Sequence, residues 1–484
     1  MSLKDDFDIL ASRAVKPFFY RAPEPGGDHA LADYQHSGVE YCIARDHALI
    51  GDAPGVGKTA QGVALSNAIG AKHTLVVCPA SLRLKWEREI WQWSTIPNVQ
   101  TYPVLKSKDG VSLQAHYTII SYDLLRNEGI LNALLDHRWD HLILDEAHAL
   151  KDPKGNKRTK VICAPDMLPS VVGRITPLSG TILPNQPIEC YNIFRLLKWD
   201  AIDRMSLDAF RDHYYEEGGG MIRGRVFDVE RQVWSNKLHY SKTVRNVPIN
   251  LPELQHRLRK YIMVRRLKEE VLHELPPKEW SVFPLEITAG IRKALKHPGW
   301  DAASKLYEMD PDAFDGAIPV DGDISTARRE LGEAKAPAVC AYIEDLLESG
   351  VDKIIVGAWH LTVLAYMRER LTHYGLVYMD GSTSATKKDA AAMRFQMDPS
   401  IRVILGQMIP LGEGHDLFAA QDVVLAEPYY VPGKNDQLLD RAHRRGQRGH
   451  VIGHIPVCPG TLDERILSSA ITKDRNIYQA LDAR

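Results

Sequence analysis

The chain has 484 residues and should form two or three domains, each large enough to bury its own hydrophobic core. Its 44% hydrophobic and 25% charged residues are ordinary for a soluble globular protein, and no apolar run approaches the roughly 18 residues of a membrane span. The net charge of −2 gives no general attraction to polyanions, so any nucleic-acid surface would have to be a local groove.

The first part of the chain predicts alternating strands and helices after an irregular start. Residues 1–30 contain several prolines and glycines, which predict an irregular extension. From Asp33 onward, short apolar runs alternate with amphipathic segments, a pattern typical of parallel sheets covered on both faces. The strand candidates are residues 74–78, 117–121, 141–145 and 174–178, and residues 81–93 are a helix candidate.

A glycine-rich segment, GDAPGVGKTAQ, occupies residues 51–61. It lies between the apolar residues 48–50 and a helical pattern over residues 62–69, and a loop in that context offers backbone N–H groups to phosphates. The lysine of such a loop reaches the β- and γ-phosphates, and the threonine hydroxyl holds Mg²⁺. A glycine-rich turn with a solvated lysine is the alternative. The segment predicts an ATP and Mg²⁺ site formed by Gly55, Val56, Gly57, Lys58 and Thr59.

Two adjacent carboxylates, Asp145 and Glu146, follow the strand predicted at residues 141–145. Carboxylates grouped at the end of a strand are costly unless they have a cation or a proton to handle. A nucleotide site supplies both, so we expect Asp145 to hold Mg²⁺ and Glu146 to orient and deprotonate the attacking water. A helix N-cap pair is the alternative, which the phosphate loop upstream makes the weaker explanation.

A second alternating series begins near residue 335, after an irregular central region. Its strand candidates are residues 353–358, 376–379, 402–405 and 422–426, and its helix candidates are residues 361–374 and 384–397. The predicted fold class is α/β, with two parallel-sheet lobes and a helical insertion between them. We place the first lobe at residues 31–200, the insertions and the inter-lobe connector at 201–330, and the second lobe at 331–484.

A segment dense in cations, QLLDRAHRRGQ, occupies residues 437–447. Arg441 and Arg444 are three residues apart and therefore share a helix face. Guanidinium groups that reach a γ-phosphate from a distant part of the chain act as arginine fingers. A solvated basic face is the alternative. Because about 380 residues separate Lys58 from Arg441, we expect ATP to bind in a cleft between the two lobes.

Taken in order, these segments resemble the Swi/Snf-related branch of the superfamily-two helicases, from about Tyr34 to the end of the chain. The connector sequence MVRRLK at residues 263–268 is most similar to the HepA-related annealing-helicase branch. Pro410 and the pair Trp359–His360 depart from the family pattern, outside the hydrolytic residues. The other matching segments are DYQHSGV (33–39), CPASLRLKWERE (78–89), LSGTILPN (178–185), LPPK (275–278), DGST (380–383), GEGHDL (412–417) and TLDER (461–465).

The resemblance implies two RecA-like lobes that hydrolyse ATP with Mg²⁺ and move along double-stranded DNA without separating its strands. It implies that Gln35 reads the adenine and that Asp52, the family's usual residue before the phosphate loop, belongs to the nucleotide-binding residues. It also implies nucleotide contacts from Gly412 and Gln437 in the second lobe. For Arg83 and Lys85, spacing alone explains a solvated helix face equally well. The expected DNA contacts are Arg83, Lys85, Lys151, Ser382 and Thr383.

Three classes of function remain open at the level of sequence. They are a DNA-stimulated ATPase that remodels DNA or DNA–protein complexes, a strand-separating DNA or RNA helicase, and a partner-targeted scaffold that does not hydrolyse ATP. The arginine-rich segment favours the first, and the presence of Lys58, Glu146 and Arg444 argues against the third. The expected partners are double-stranded or forked DNA and a targeting protein.

Cysteine usage and the N-terminus give a further expectation about metals and location. The six cysteines are scattered without a CxxC pair, which argues against a zinc module and favours a reducing compartment. No secretory signal is evident, and neither is a membrane span. We expect a cytoplasmic protein of prokaryotic or phage origin.

Overall fold

The computed structural model describes residues 3–25, 29–153, 155–183, 186–217, 220–228, 233–241, 245–300, 322–412, 415–428, 432–459, 464 and 481–482. Within these ranges, two parallel sheets form the centres of two lobes, which confirms the predicted α/β fold with two RecA-like lobes. No helix in the described ranges has the length and apolar character needed to cross a membrane.

Strands and helices alternate along the described ranges. The strands are β1 (Leu49–Ile50), β2 (Thr74–Cys78), β3 (Thr101–Pro103), β4 (Tyr117–Ser121), β5 (Trp139–Asp145), β6 (Val172–Leu178), β7 (Tyr215–Glu217), β8 (Gly220–Asp228), β9 (Val233–Ser241), β10 (Arg245–Pro248), β11 (Met263–Val264), β12 (Lys278–Pro284), β13 (Ile354–Ala358), β14 (Leu376–Met379), β15 (Val403–Gln407), β16 (Asp422–Leu425) and β17 (Val451–Val457). The helices are α1 (Leu3–Arg13), α2 (Asp33–Ile43), α3 (Lys58–Ala68), α4 (Arg83–Trp93), α5 (Glu128–Leu135), α6 (Lys157–Cys163), α7 (Tyr191–Lys198), α8 (Leu207–Tyr214), α9 (Leu251–Arg257), α10 (Lys268–Val271), α11 (Ala289–Ala294), α12 (Gly322–Glu348), α13 (Leu361–Leu371), α14 (Ala385–Met397), α15 (Met408–Gly412) and α16 (Pro432–Ala442).

The sheet of the first lobe has the strand order β11-β1-β6-β5-β2-β4-β3 in the described residues, and all its pairs are parallel. Every residue of β2 and β4 is buried, as expected when helices cover both faces. Successive side chains point to opposite faces, so Val76 and Val77 pack in different cores. The carboxyl ends of β1, β5 and β6 meet at one edge of the sheet, where ligands bind in open parallel sheets.

The sheet of the second lobe has the order β12-β17-β16-β13-β15-β14, again with parallel pairs throughout the described residues. Its central strand β13 is buried along its whole length. Ile355 packs in the core on one face, whereas Ile354 and Val356 pack on the other. Helix α16 follows β16 and carries Arg441 near its end, so the sheet positions the predicted arginine segment.

The boundaries expected at residues 201 and 331 are corrected by the pairing of two connector strands. Strand β11 pairs with β1, which extends the first sheet to Val264, and β12 pairs with β17, which begins the second sheet at Lys278. A two-residue strand is too short to show a periodicity, and β12 is an edge strand with mostly exposed residues. The insertion that precedes β11 is not purely helical, because β7 pairs with β10 and β8 with β9 in antiparallel fashion.

The N-terminal residues are also more ordered than the expected irregular extension. Helix α1 spans Leu3–Arg13 and is attached to the inter-lobe connector. The hydroxyl of Ser12 donates to the Met263 carbonyl at 2.6 Å, and the Arg265 N–H donates to the Ser12 carbonyl at 2.9 Å. The prolines and glycines of residues 1–30 all follow this helix, so they are compatible with a helix before them.

Candidate active site

A cavity of about 220 Å³ lies between the carboxyl-end edge of the first sheet and the second lobe. Side chains of both lobes line it, and its volume is below the roughly 300–1,000 Å³ of typical ligand sites. The predicted site residues that line it are Gly55, Gly57, Lys58, Thr59, Lys85, Asp145, Glu146, Gln437, Arg441 and Arg444.

Both glycines of the phosphate loop have backbone conformations that favour glycine, with φ of 84° at Gly55 and 82° at Gly57. Neither glycine has room for a side chain. A Cβ at Gly57 would lie 2.4 Å from Nε2 of Gln35, and one at Gly55 would lie 3.0 Å from Cγ of Arg444. Gly57 directly precedes α3, so the loop delivers the N-terminus of an eleven-residue helix to the cavity.

The ammonium group of Lys58 is held over the start of its own loop. It donates to the carbonyl of Asp52 at 2.9 Å and to that of Ala53 at 3.0 Å. Burial lowers the pKa of Lys58 to about 8, against the opposing effect of Glu146, Asp52 and Asp145. A phosphate group that replaced the two carbonyls would stabilise the charged ammonium.

The carboxylate of Asp145 is held by neutral donors. Nε1 of Trp86 donates to Oδ2 at 2.7 Å, and the N–H of Glu146 donates to Oδ1 at 2.9 Å. Burial, together with the neighbouring Glu146, raises the pKa of Asp145 above its usual range. A bound cation would offset this cost. Together with the hydroxyl of Thr59 in the same cavity, Asp145 forms a donor set of oxygen atoms that fits Mg²⁺.

The side chain of Glu146 faces a histidine and an arginine instead. It lines the cleft, and its backbone is left-handed, with φ of 50°. Oε2 lies 3.3 Å from Nδ1 of His148, and Oε1 lies 3.9 Å from Nη2 of Arg441. Although burial raises it, the pKa of Glu146 is held well below its usual range by His148, Arg441 and Lys58. These partners therefore favour the anionic form of the group.

Arg441 is 2% exposed and reaches the cleft from the second lobe. Its Nε is buried and has no hydrogen-bond partner among the described residues. Burial and the nearby Arg444 together lower the pKa of Arg441 to about 10. A buried donor without an acceptor is costly, and a phosphate oxygen in the cleft would satisfy it. The residue therefore fits an anionic nucleotide.

Arg444 is paired within its own lobe. Its Nη1 donates to Oδ1 of Asp416, and its Nε donates to the Asp440 carbonyl at 3.0 Å. Oδ2 of the same Asp416 accepts from Lys85 of the first lobe at 2.9 Å. Sequence reasoning assigned no role to Asp416 itself, although it lies in the second-lobe segment of residues 412–417. It joins a predicted arginine finger to a predicted DNA contact.

The connector holds the arginine segment in place through Asp440. Lys268 donates to Oδ1 of this carboxylate at 2.6 Å, and Lys278 donates to it at 2.8 Å. Burial raises the pKa of Asp440, but the two lysines hold it well below its usual range. Asp440 precedes Arg441, so the ion pairs connect the inter-lobe segment to the arginines that face the cleft.

Four residues expected at the nucleotide lie outside the cavity lining. Oε1 of Gln35 accepts from the Ala32 N–H at 2.9 Å, and its Nε2 lies 3.4 Å from the Val56 and Gly57 carbonyls, behind the loop. Val56 packs in a small apolar cluster and is 2% exposed. Gly412 is buried at the end of α15, where a Cβ would lie 4.0 Å from Oε1 of Gln437.

The fourth is Asp52, whose expected nucleotide contact is corrected. Its side chain is not exposed and forms an ion pair with Arg266. Nε2 of Gln61 donates to the same carboxylate at 2.8 Å. A buried carboxylate requires a cation and hydrogen bonds, and the connector supplies them here. The Asp52 side chain therefore shapes the loop from behind, and only its carbonyl meets Lys58.

Arg83 is not placed to contact DNA, which corrects that expectation. It is 7% exposed, and its guanidinium donates to the carbonyls of Ala80, Val104 and Leu105 at 3.0, 2.6 and 3.1 Å. Three of the five N–H groups of this arginine, at the start of α4, are therefore used on carbonyls of the first lobe rather than directed at solvent phosphates.

The other expected DNA contacts are more accessible. The side chain of Lys151 is 43% exposed, and its Nζ lies 3.4 Å from Oε1 of Glu189. The hydroxyls of Ser382 and Thr383 both donate to Oδ1 of Asp380, at 2.7 and 3.0 Å, in a turn after β14. That turn is on the second lobe, whereas Lys151 is on the first.

Comparison with known proteins matches the chain to one family model and to several longer relatives. The family model of the SNF2-related domain matches residues 34–316, more than half of the chain. The DNA annealing helicase and endonuclease ZRANB3 of Bos taurus is 29% identical over 444 residues, which cover 90% of this chain and 39% of that protein. The SWI/SNF-related matrix-associated actin-dependent regulator of chromatin subfamily A-like protein 1 of Xenopus tropicalis is 31% identical over 460 residues, which cover 93% and 45%.

The chain thus spans less than half the length of these two relatives. Among solved structures, it is similar to the Sulfolobus solfataricus SWI2/SNF2 ATPase core in complex with dsDNA. The TM-score is 0.43 and the identity 18%, with 96% of this chain and 100% of the other covered.

Proposed function

The chain belongs to the SNF2-related family, and we propose that it is an ATP-driven translocase on double-stranded DNA that remodels DNA or DNA–protein complexes. Annealing helicases are among its relatives, in agreement with the connector sequence. The observation that carries the proposal is the cleft itself. Residues of the first sheet and arginines from about 380 positions later in the chain line one cavity, the arrangement expected of a two-lobe ATPase.

In this proposal each group of the cleft has one task. The backbone of the phosphate loop and Lys58 bind the phosphates. Thr59 and Asp145 would hold Mg²⁺, which neutralises charge on the phosphates when it is bound. Glu146 accepts the proton of the attacking water, and Arg441 and Arg444 stabilise the charge that develops on the transferred phosphoryl group.

Movement of the lobes would couple this chemistry to DNA. The cleft is crossed by ion pairs between the lobes, such as Lys85 with Asp416, so nucleotide binding and release would change how the lobes are held. Lys151 on the first lobe, with Ser382 and Thr383 on the second, would contact the phosphate backbone. Such contacts position a protein on DNA without reading its sequence.

The test is steady-state ATP hydrolysis by the purified chain without nucleic acid and with duplex DNA, forked DNA, single-stranded DNA or RNA. Glu146→Gln serves as the blank, because it removes the proton acceptor and keeps the side chain's size. We expect duplex or forked DNA to stimulate turnover most strongly. Stimulation mainly by RNA or single strands would favour a strand-separating helicase. Absence of hydrolysis under every condition would favour a scaffold targeted by a partner.

A further inference from the structure

Trp86 contacts the carboxylate predicted to bind Mg²⁺, although its spacing in α4 suggests only a core residue. The indole is 1% exposed, and its Nε1 donates to Oδ2 of Asp145 at 2.7 Å. Trp86 also lines the cleft beside Lys58 and Thr59. Its ring packs in the core beneath the first sheet, so the donor atom has little freedom to move.

The chemistry of this donor suits a carboxylate that must bind a cation. An indole N–H donates one hydrogen bond, carries no charge and cannot bind a metal ion itself. A lysine or arginine at this position would neutralise Asp145 and compete with Mg²⁺. Partners that orient a ligand without replacing the metal are a general feature of metal sites. The second donor to Asp145, the N–H of Glu146, is neutral as well.

The helix that carries Trp86 is also tied to the second lobe. On α4, Lys85 pairs with Asp416 at 2.9 Å, and both terminal nitrogens of Arg88 donate to Asp389 of α14, at 2.7 and 2.9 Å. Trp86 lies between these two cations in the sequence. A shift of α4 relative to the sheet would therefore move the indole donor relative to Asp145.

We infer that Trp86 is a positioning residue that holds the Asp145 carboxylate in the orientation that binds Mg²⁺ and links that orientation to the placement of α4. The inference rests on the proposed function, because it concerns the metal of the proposed ATP site. It assigns Trp86 no contact with ATP or with the reacting atoms.

The test measures Mg²⁺ binding rather than turnover. Trp86→Phe, in a Glu146→Gln background that does not hydrolyse ATP, is titrated with Mg²⁺ in the presence of ATP by calorimetry. ATP affinity is measured separately in EDTA. We expect the Mg²⁺ concentration at half-saturation to rise about 10- to 100-fold, as when other ligand-orienting partners are removed. ATP affinity in EDTA should stay within about twofold of the parent, because the indole is assigned a contact with Asp145 and none with the nucleotide.

The matched control is Trp93→Phe on the same helix. The Trp93 indole donates to Oε2 of Glu89 at 3.2 Å, away from Asp145, so its removal should leave the Mg²⁺ requirement unchanged. Trp86→His, measured at pH 8 where histidine is neutral, provides a second variant. The Nε2 atom of histidine is two bonds from Cγ, as Nε1 is in the indole, so it can donate the same hydrogen bond to Asp145. The imidazole is smaller than the ring of phenylalanine and therefore loses more packing. Recovery of Mg²⁺ affinity in this variant would separate the hydrogen bond from packing.

The outcomes distinguish this inference from the proposed function. If the parent protein binds no ATP even with Mg²⁺ present, the proposed function fails. If the parent binds ATP with Mg²⁺ but Trp86→Phe needs no more Mg²⁺ than Trp93→Phe, only the role of Trp86 is overturned. Equal losses in the Phe and His variants, with ATP affinity in EDTA reduced too, would also overturn it, since packing alone would explain them.

Discussion

Asp52 in the phosphate loop and Arg266 in the inter-lobe connector form an ion pair that solvent does not reach. Arg266 also donates to the Tyr34 carbonyl and to Oε1 of Gln61, so its guanidinium joins α2, the loop and α3. The connector therefore supports the phosphate loop from inside the first lobe. This relationship explains why a charged residue can stand where the general phosphate-loop pattern has glycine.

The buried pair predicts a stability effect. Asp52→Ala should lower the free energy of unfolding by about 3–5 kcal/mol, because it leaves the Arg266 charge buried without its partner. Urea unfolding followed by circular dichroism measures this. Asp200→Ala is the control, since the Asp200–Arg204 pair is 66% and 69% exposed and solvent screens it, so its loss should change stability much less. Equal effects of the two substitutions would contradict the structural role of Asp52.

Lys58→Ala should abolish ATP hydrolysis by removing the cation that reaches the phosphates. ATPase assays with saturating duplex DNA measure the loss. Lys72→Ala, an exposed lysine beyond the end of α3, should hydrolyse ATP at the parent rate. Normal turnover in Lys58→Ala would show that the phosphate loop is not the hydrolytic site.

Arg444→Ala should slow turnover by about 10³-fold or more while ATP affinity stays largely intact, as expected for an arginine finger. The measurements are kcat of the Arg444→Ala single variant and ATP affinity of the same substitution in the Glu146→Gln background. Arg448→Ala changes the exposed arginine that follows the segment of residues 437–447 and should not alter either value. If DNA-free turnover of Arg444→Ala matched the parent, the second lobe would have no part in hydrolysis.

Two cations expected at DNA should behave differently. Arg83→Met should lower the free energy of unfolding by about 1–3 kcal/mol, because three carbonyls lose their donor, and should leave the salt dependence of DNA affinity unchanged. Lys151→Ala should instead reduce the slope of log affinity against log salt by about 1. DNA binding at several salt concentrations, by fluorescence anisotropy, measures both. A reduced slope in Arg83→Met would restore its predicted DNA contact.

Much of the fold could be predicted because buried parallel strands are continuous apolar runs. Strands β2, β4 and β14 have the predicted bounds, and β5 and β6 begin two residues earlier than predicted. The connector strands could not be predicted. The two residues of β11 are too few to show a pattern, and β12 is defined by its pairing with β17 at the sheet edge.

The candidate site also has a part that could be predicted from sequence and a part that could not. Lys58, Asp145 and Glu146 lie in short segments whose residue types indicate their chemistry, so sequence alone predicts phosphate, metal and proton-transfer roles. The approach of Arg441 to Glu146, at 3.9 Å, depends on how two lobes pack and could only be expected in outline. Trp86 and Asp416 were not assigned roles, because a core tryptophan and a surface carboxylate give no sign of their partners.

Local residue types and their spacing are enough to predict the chemistry of the cleft and the alternation that makes two parallel sheets. Which charges are free to act follows from the packing of distant parts of the chain. Arg83 and Asp52 resemble functional residues in sequence, but their partners are backbone carbonyls and Arg266. Burial and long-range pairing decide whether a charged side chain can contact a ligand, and the neighbouring residues along the chain indicate neither.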